Sequence, residues 1–389
     1  MDFLKDELMY LKKHNLYRQI KWLDGPQAAR TIVDGKPCIL LSSNNYLGLT
    51  EHPEIKASAR KAVANWGTGA GGSRLTTGNL RLFEKLENAI ARFKKTEAAI
   101  IFNNGYMANL GVITALTGKK DVVISDELNH ASIIDACRLS RAEKKIYRHK
   151  DMVNLEKILQ QTQEYRRRLI VTDGVFSMDG DIAPLPEIIA IAQKYDALVM
   201  VDDAHATGVL GKRGAGTAEY FNLEGRMLIQ MGTLSKALGS AGAYVAGQRE
   251  LIDYLRNKAR SFIFSTALPP AAIGAAIAAI RIIEQNPEIL EKLRANARYL
   301  RSGLQKQGYR LLAQESPIIP ILIGDNQKTM QITQALLERG VFAPGIRPPT
   351  VPPNTSRIRV TVMATHTKDD LDLALHAFNQ VGKEMGLIY

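Results

Sequence analysis

A lysine in a turn of small and hydroxyl-bearing residues is the most reactive feature of this sequence. Lys236 follows an apolar run, Met227–Met231, and stands close to Thr233, Ser235 and Gly239. A lysine just past a buried strand is partly desolvated, which lowers the pKa of its amine and favours a Schiff base. The two hydroxyls offer donors to a phosphate. The alternative is a solvated lysine in an ordinary turn.

A second apolar run ends in an Asp-x-x-His motif. Asp202 closes the run Leu198–Asp202, and Asp203 and His205 follow it. Open α/β sheets bind ligands at the carboxyl ends of their strands. A carboxylate there can keep a pyridine nitrogen protonated, so that the ring accepts the electrons of a carbanion, while His205 can bond a phenolic oxygen. The alternatives are two aspartates that cap a helix and a histidine that is satisfied in the core.

Three further polar segments follow predicted strands. Gly105 and Tyr106 open a helical pattern after the run Ala98–Phe102, where free N–H groups attract an anion. His130 can stack on an aromatic ring, and Ser177 can reach a ring substituent. Taken singly, each also has a structural explanation, namely an ordinary turn, a structural histidine and a hydroxyl bonded within its own loop.

Two arginines alternate on a strand-like segment near the C-terminus. Arg357 and Arg359 flank a single isoleucine. A guanidinium group can grip a substrate carboxylate through two parallel hydrogen bonds. The alternative is solvation at the edge of a strand.

The elements that position these residues alternate along the chain. Short runs, mostly rich in Val, Ile and Ala, are separated by loops and helix-length segments. We predict strands at Ala98–Phe102, Asp121–Ser125, Lys144–Tyr147, Leu169–Thr172, Leu198–Asp202, Met227–Met231 and Gly242–Ala246. This alternation predicts an α/β fold with a largely parallel sheet that is buried on both faces.

The chain divides into three predicted parts. Residues 1–45 form an N-terminal helix, reaching to about residue 20, and a connection; residues 46–285 form the large α/β domain; residues 286–389 form a small α+β domain. In the small domain we predict strands at Pro317–Ile323 and Ile358–Val362 and helices at Lys328–Arg339 and Lys368–Gly386.

Composition narrows the functional class. The 389 residues are 46% hydrophobic and 23% charged, which excludes a disordered, collagen-like or coiled-coil chain. The net charge of +12 fits nucleic acid, a membrane surface or an anionic small substrate. Because the basic residues are spread along the chain and no nucleic-acid motif occurs, we predict neither nucleic-acid nor membrane binding.

The number of cysteines and the N-terminal residues indicate the cellular compartment of the protein and whether it holds a metal site. Cys38 and Cys137 cannot form a four-cysteine zinc site, and His-Glu-x-x-His is absent, so we predict no metal. Residues 1–15 lack the apolar stretch of a signal peptide, and no apolar run reaches the roughly 18 residues of a membrane span. These features predict a cytoplasmic protein.

Taken in chain order, five segments resemble those of the α-oxoamine synthases, which are pyridoxal 5'-phosphate (PLP) enzymes of fold type I. The segments are Ser43–Gly48, Gly71–Leu75, Asn129–Ser132, Asp202–His205 and Thr233–Gly239. The resemblance covers nearly the whole chain. It implies a PLP-dependent transferase with a large domain built on a mostly parallel sheet and a smaller α+β C-terminal domain.

The resemblance also implies roles for individual residues. Lys236 would hold PLP and remove the substrate Cα proton, Asp202 would pair with the pyridine nitrogen, His205 with the phenolic oxygen, and His130 would stack on the ring. These four form the implied catalytic set. The further cofactor contacts are Gly105, Tyr106, Ser177, Thr233, Ser235, Ser265 and Thr266. Of these, Ser265 and Thr266 would reach the phosphate of a partner subunit, which implies an obligate homodimer with shared active sites.

Substrate contacts are implied in the same way. Asn44 and Arg359 would bind the amino-acid carboxylate, and Arg18 and Thr350 match positions that contact the acyl substrate.

Three segments point to one branch of the family. Leu23–Gln27, Gly72–Gly78 and Ile346–Pro352 resemble the member that condenses L-alanine with a pimeloyl thioester in biotin biosynthesis, releasing the thiol and CO2. The alternatives are the relative that uses glycine and acetyl-CoA, a lyase or aldolase on the same fold, and a silent PLP-binding protein. The choice between coenzyme A and a carrier protein as acyl carrier stays open.

Overall fold

The computed structural model describes residues 2–226, 229–313 and 315–389. Two compact units are distinguished. The large unit comprises residues 49–177 and 181–290, and the small unit comprises residues 2–48, 178–180 and 291–389. The N-terminal segment, which the sequence-based division kept separate, therefore shares a unit with the C-terminal part.

The helices and strands of the described chain have the following bounds. The strands are β1 (Arg30–Val33), β2 (Lys36–Leu40), β3 (Ala98–Phe102), β4 (Val122–Asp126), β5 (Glu143–Tyr147), β6 (Arg168–Asp173), β7 (Leu198–Asp202), β8 (Ile229–Thr233), β9 (Ala243–Gly247), β10 (Ile318–Gly324), β11 (Val341–Phe342), β12 (Gly345–Ile346) and β13 (Ser356–Thr361). The α-helices are α1 (Asp2–Lys13), α2 (Pro53–Trp66), α3 (Arg81–Lys94), α4 (Gly105–Leu116), α5 (Ala131–Leu139), α6 (Met152–Gln160), α7 (Leu185–Lys194), α8 (Thr217–Tyr220), α9 (Arg249–Lys258), α10 (Arg260–Ile263), α11 (Pro270–Gln285), α12 (Glu288–Lys306), α13 (Asn326–Glu338) and α14 (Lys368–Glu384).

The large unit is built on a seven-stranded sheet in the order β3-β9-β8-β7-β6-β4-β5. Strand β9 is antiparallel to β3 and β8, and the other neighbours run parallel. The register places Asp173 opposite Asp202, and Asp202 opposite Met231. The carboxyl ends of β6, β7 and β8 therefore meet at one edge of the sheet.

Both faces of this sheet are buried, and alternate residues of each strand point to opposite faces. On one face, Val123 and Met200 pack in a cluster with Val112 of α4 and Ile133 of α5. On the other face, Ile124, Ile170 and Val201 pack with residues of α6 and α7. Burial on both sides explains why most of these strands are apolar runs in the sequence, whereas the edge strand β5 is mostly exposed and charged.

The small unit carries two three-stranded sheets, in the orders β1-β2-β11 and β10-β13-β12. Strand β2 pairs parallel with β11, and Ile39 lies opposite Val341. This pairing joins the N-terminal segment to the C-terminal part of the chain. It was not predicted because β11 and β12 have only two residues each, too few for a periodic pattern.

The predicted strands of the large sheet are present to within two residues at each described end. Met227 and Leu228, at the start of the predicted strand Met227–Met231, lie outside the described residues. The first helix is shorter than predicted and ends at Lys13 rather than near residue 20. Asn15 takes a left-handed conformation there, and the N–H groups of Leu16 and Tyr17 bond back to the Leu11 carbonyl, which ends the helix.

Candidate active site

A cavity of about 190 Å³ lies where β6, β7 and β8 end in the large unit. It is lined by Gly105, Tyr106, Asn109, His130, Ser132, Asp173, Ser177, Asp202, Ala204, His205, Met231, Thr233, Ser235 and Lys236. The fold thus collects in one place residues that lie more than 100 positions apart in the sequence. All the large-unit residues selected from the sequence line it, except Ser265 and Thr266.

Lys236 contacts His205 in the wall of this cavity. Its Nζ lies 2.8 Å from His205 Nε2. The turn that presents the lysine depends on Gly239, whose φ is 61° and where a Cβ atom would come within 2.8 Å of the Thr50 nitrogen. Glycine is the residue type that tolerates both conditions. The turn therefore fixes an amine at the end of β8.

Asp202 is buried and its carboxylate is held from two sides. The N–H of Ala204 donates to Oδ1 at 2.9 Å, and Nδ2 of Asn109 donates to Oδ2 at 2.8 Å. These two hydrogen bonds fix the orientation of the carboxylate. Asp202 therefore presents an oriented anion to the cavity.

The next residue, Asp203, serves a different purpose. It forms a fully buried ion pair with Lys94 at 2.8 Å, and the Thr217 hydroxyl donates to its Oδ1 at 2.5 Å. The two adjacent aspartates thus have separate partners, and Asp203 is not among the residues that line the cavity.

The amino end of α4 borders one side of the cavity. The Asn104 side chain caps the helix by accepting from the Met107 N–H at 2.9 Å. A Cβ atom at Gly105 would approach Thr233 Cγ2 to 2.9 Å, so glycine permits this close contact. The Tyr106 hydroxyl donates to Asp135 at 2.5 Å, and this bond raises the pKa of the phenol. Helix N–H groups and the Thr233 hydroxyl together suit a phosphate.

His130 stands at the start of α5 and presents its ring to the cavity. Its Nδ1 lies 2.8 Å from Ser132 Oγ and accepts from the Ser132 N–H at 3.2 Å. Desolvation has the largest effect and lowers the pKa of His130; the Asp202 carboxylate opposes this shift and the Lys236 charge adds to it. The ring is therefore neutral, with its proton on Nε2.

Asp173 lies beside Asp202 and was not selected from the sequence. It accepts from the His130 N–H at 2.9 Å, and its own N–H donates to Asn129 Oδ1 at 2.8 Å. Burial, and then the charge of Asp202, raises the pKa of Asp173 well above its usual value. A proton on Asp173 relieves the repulsion between the two carboxyl groups.

Ser265 and Thr266 lie outside this cavity. Nδ2 of Asn103 donates to Ser265 Oγ at 2.8 Å and to the Thr266 carbonyl at 2.6 Å. Their contribution to the phosphate site of a partner subunit remains a prediction.

The small unit holds the remaining selected residues. Nη2 of Arg359 donates to Asn44 Oδ1 at 3.2 Å, so these two residues are neighbours. Arg357 instead forms an ion pair with Asp179 at 2.6 Å and bonds the Met178 carbonyl. Of the two arginines that the sequence offered, Arg359 is thus the one beside Asn44, while Arg357 has a structural partner.

A larger cavity of about 540 Å³ also lies within the small unit. Nη2 of Arg18 donates to the Thr350 hydroxyl at 3.1 Å in its wall. Lys21 and Arg347 add positive charge, and apolar side chains such as Phe342 line the rest. An apolar wall with basic groups suits a chain that ends in a carboxylate.

Asn109 and Ser132 are the other polar lining residues that were not selected from the sequence. The available signal was a lone asparagine within the apolar helix Gly105–Leu116. A polar side chain buried on an apolar helix needs a partner, and the partners of Asn109 are Asp202 at the end of β7 and Ser132 on α5.

The chain matches the model of the aminotransferase class I and II family over residues 36–378, and it belongs to that family. Among curated relatives, it is 53% identical over 389 residues to an 8-amino-7-oxononanoate synthase of Thermoanaerobacter pseudethanolicus, covering 100% of this chain and 98% of the relative. It is 50% identical over 387 residues to 8-amino-7-oxononanoate synthase 1 of Bacillus subtilis, with coverages of 100% and 99%.

Solved structures show the same fold. A serine palmitoyltransferase from S. paucimobilis with bound PLP matches with a TM-score of 0.95 and 35% identity, covering 100% of this chain and 98% of that one. An 8-amino-7-oxononanoate synthase from Francisella tularensis matches with a TM-score of 0.77 and 27% identity, with coverages of 89% and 98%. These findings confirm the family resemblance and the fold class predicted from the sequence.

Proposed function

We propose that the protein is a PLP-dependent acyltransferase that condenses L-alanine with a pimeloyl thioester, giving 8-amino-7-oxononanoate, CO2 and a free thiol in biotin biosynthesis. The observation that carries this proposal is the 50–53% identity, over the full chain, to relatives named 8-amino-7-oxononanoate synthase. The serine palmitoyltransferase structures are 32–35% identical. Sequence identity separates substrates better than fold similarity does, since one fold serves several substrates.

The residues of the large-unit cavity fit PLP. The cofactor needs an amine, an anion beside its ring nitrogen and donors for its phosphate. Lys236, the doubly held carboxylate of Asp202 and the amino end of α4 supply these three groups. Gly105 keeps the phosphate region open, because a Cβ atom at this position would fill the space beside Thr233.

Bound PLP would supply a protonated ring that takes up the electrons of a substrate carbanion. Residues of the chain would transfer the proton and shield the cofactor from water. Nζ of Lys236 would accept the Cα proton of alanine, and His205, at 2.8 Å, would keep this amine in place. The neutral ring of His130 would cover one face of the cofactor and exclude water from it.

We propose that residues of the small unit recognise the substrates. We propose that Arg359 and Asn44 bind the amino-acid carboxylate, since an arginine and an amide together can hold both oxygens. Arg18 and Thr350, in the wall of the 540 Å³ cavity, would bind the acyl substrate. The pimeloyl chain is apolar and ends in a carboxylate, which matches the apolar and basic lining.

We propose further that the protein works as a homodimer, in which Ser265 and Thr266 complete the phosphate site of the partner. This part of the proposal is supported by the family resemblance and by the position of the two residues outside their own chain's cavity. No described helix is long and apolar enough to span a membrane. A cytoplasmic location remains a prediction from composition.

Thiol release by the purified protein with PLP tests the reaction. One sample receives L-alanine and pimeloyl-CoA, and another receives glycine and acetyl-CoA. We expect release in the first sample only, and none from Lys236→Ala, which lacks the base. Release only with glycine would identify the glycine-using relative instead. Release in neither sample would contradict the coenzyme A form of the reaction, and a pimeloyl carrier protein would then be tested.

A further inference from the structure

Asn109 contacts two residues that face the proposed cofactor. Its side-chain nitrogen donates to Asp202 Oδ2 at 2.8 Å and to Ser132 Oγ at 2.8 Å. Ser132 Oγ in turn lies 2.8 Å from His130 Nδ1. One amide thus connects the aspartate at the end of β7 with the histidine at the start of α5.

The Ser132 backbone N–H can only donate, and this sets the donor and the acceptor in each hydrogen bond between Asn109, Ser132 and His130. His130 Nδ1 accepts from the Ser132 N–H, so this nitrogen carries no proton, and the Ser132 hydroxyl must donate to it. The same hydroxyl then accepts from Asn109. A flipped Asn109 amide would set its oxygen against the Asp202 carboxylate, which is repulsive. The donors therefore run from Asn109 outward to both partners.

The arrangement carries an energetic cost that packing alone does not explain. Asn109, Ser132 and Asp202 are all nearly inaccessible to solvent. Asn109 Oδ1 is buried, and it has no hydrogen-bond partner among the residues that the structure describes. An apolar side chain at this place in an apolar helix would avoid this loss. The position is better explained by what the amide nitrogen does for its two partners.

We propose that Asn109 is a positioning residue that orients Asp202 and, through Ser132, fixes the ring and tautomer of His130. The inference rests on the proposed PLP function and deepens it. By donating to Asp202, Asn109 stabilises the carboxylate form that would hold the ring nitrogen protonated. By engaging the Ser132 hydroxyl, it holds the His130 ring in one orientation. The other titratable groups near Asp202 and His130 are Asp173, Lys236 and His205.

Equilibrium binding of PLP, and the pH at which the absorbance of bound PLP changes, test this inference without any substrate. Asn109→Leu removes both donors at similar size, and Asn109→Ala serves if the leucine variant does not fold. We expect the PLP dissociation constant to rise about tenfold or more, because a hydrogen bond to a charged group is lost.

The pH midpoint should move upward by about one unit in the same variants. A weaker Asp202 anion leaves less positive charge on the ring. With less positive charge nearby, Nζ of Lys236, once joined to the cofactor, would keep its proton to a higher pH. Ser132→Ala removes the hydroxyl that holds His130, so it should weaken PLP binding. It retains the bond from Asn109 to Asp202, so it should not move the pH midpoint. Adding it to Asn109→Ala should cost less than it does in the unaltered protein, since the connection is already broken.

Thr117→Val is the matched control, because it removes a buried hydroxyl from the other end of α4. It should leave both readouts unchanged. A folded Asn109 variant with unaltered affinity and midpoint would overturn the inference while leaving the proposed function intact. Failure of the unaltered protein to bind PLP would instead overturn the proposed function, and this inference with it.

Discussion

At the scale of single residues, two adjacent aspartates show how one motif serves two purposes. Asp202 faces the cavity and is held by Asn109 and the Ala204 N–H. Asp203 is fully buried against Lys94. Burial has the largest single effect on Lys94 and lowers its pKa, but the charge of Asp203, the interaction with Tyr244 and the hydrogen bonds to both together outweigh it, so the pKa is raised. The pair is therefore ionised and anchors the end of β7.

This ion pair predicts a large effect on stability. Lys94→Met leaves the Asp203 carboxylate buried without its counter-charge, and we expect the free energy of unfolding to fall by about 3–5 kcal/mol. Lys95→Met is the matched control, because its exposed ammonium group pairs with Glu224 at the surface and should contribute about 1 kcal/mol or less. Denaturant unfolding measures both. Equal losses in the two variants would contradict the structural role given to Lys94.

The sequence revealed the reactive residues of the site better than their supporting ones. Lys236, Asp202, His205 and His130 stand at strand ends or in motifs, where their chemistry is visible. Asn109 lies within an apolar helix, and its partner Asp202 is 93 positions away in the sequence. A contact of that kind depends on sheet order and register, which no local pattern specifies.

At the scale of elements, the ends of β4 and β5 are joined to Asp181 by His149. Its Nδ1 lies 3.0 Å from Asp126 and its Nε2 lies 2.8 Å from Asp181. Burial has the largest effect and lowers the pKa of His149, but the hydrogen bonds to the two carboxylates outweigh it and raise the pKa to about 9. The histidine is thus protonated at neutral pH and holds two acidic side chains together.

The raised pKa predicts a pH-dependent contribution to stability. Because the pKa of the folded form lies above the ordinary value of 6.5, the contribution is full below that pH and is lost as the pH rises through about 9. We expect His149→Gln to lower the free energy of unfolding by about 1–2 kcal/mol at pH 6, and by clearly less above pH 9. Denaturant unfolding at both pH values checks this, with His376→Gln, an exposed histidine on α14, as control. An equal effect at both pH values would argue against the charged cluster.

Element prediction succeeded where burial was uniform. Apart from the exposed edge strand β5, the strands of the large sheet are largely apolar on both faces and are separated by helices or loops, so their positions follow from the pattern of apolar residues. The antiparallel direction of β9 and the short strands β1, β2, β11 and β12 did not follow. Strand β11 pairs with the distant strand β2, and β9 pairs with the distant strand β3, whereas β1 and β2 form a short local hairpin.

At the scale of the whole molecule, the chain combines a large unit that suits a cofactor with a small unit that suits anionic substrates. The cavity of the large unit gathers an amine, carboxyl groups and a helix N-terminus. The small unit offers Arg359 beside Asn44 and a basic cavity around Arg18. The net charge of +12 also favours an anionic thioester with a terminal carboxylate.

In the proposed reaction, alanine loses its carboxyl group while its Cα gains an acyl group. The most direct measurement uses carboxyl-labelled L-alanine with pimeloyl-CoA and follows label, thiol and product together. We predict that labelled CO2 and free thiol appear in equal amounts and that the amino-oxo acid product contains no label. Label retained in the product, or labelled CO2 without thiol, would contradict the account and favour a different reaction on this fold.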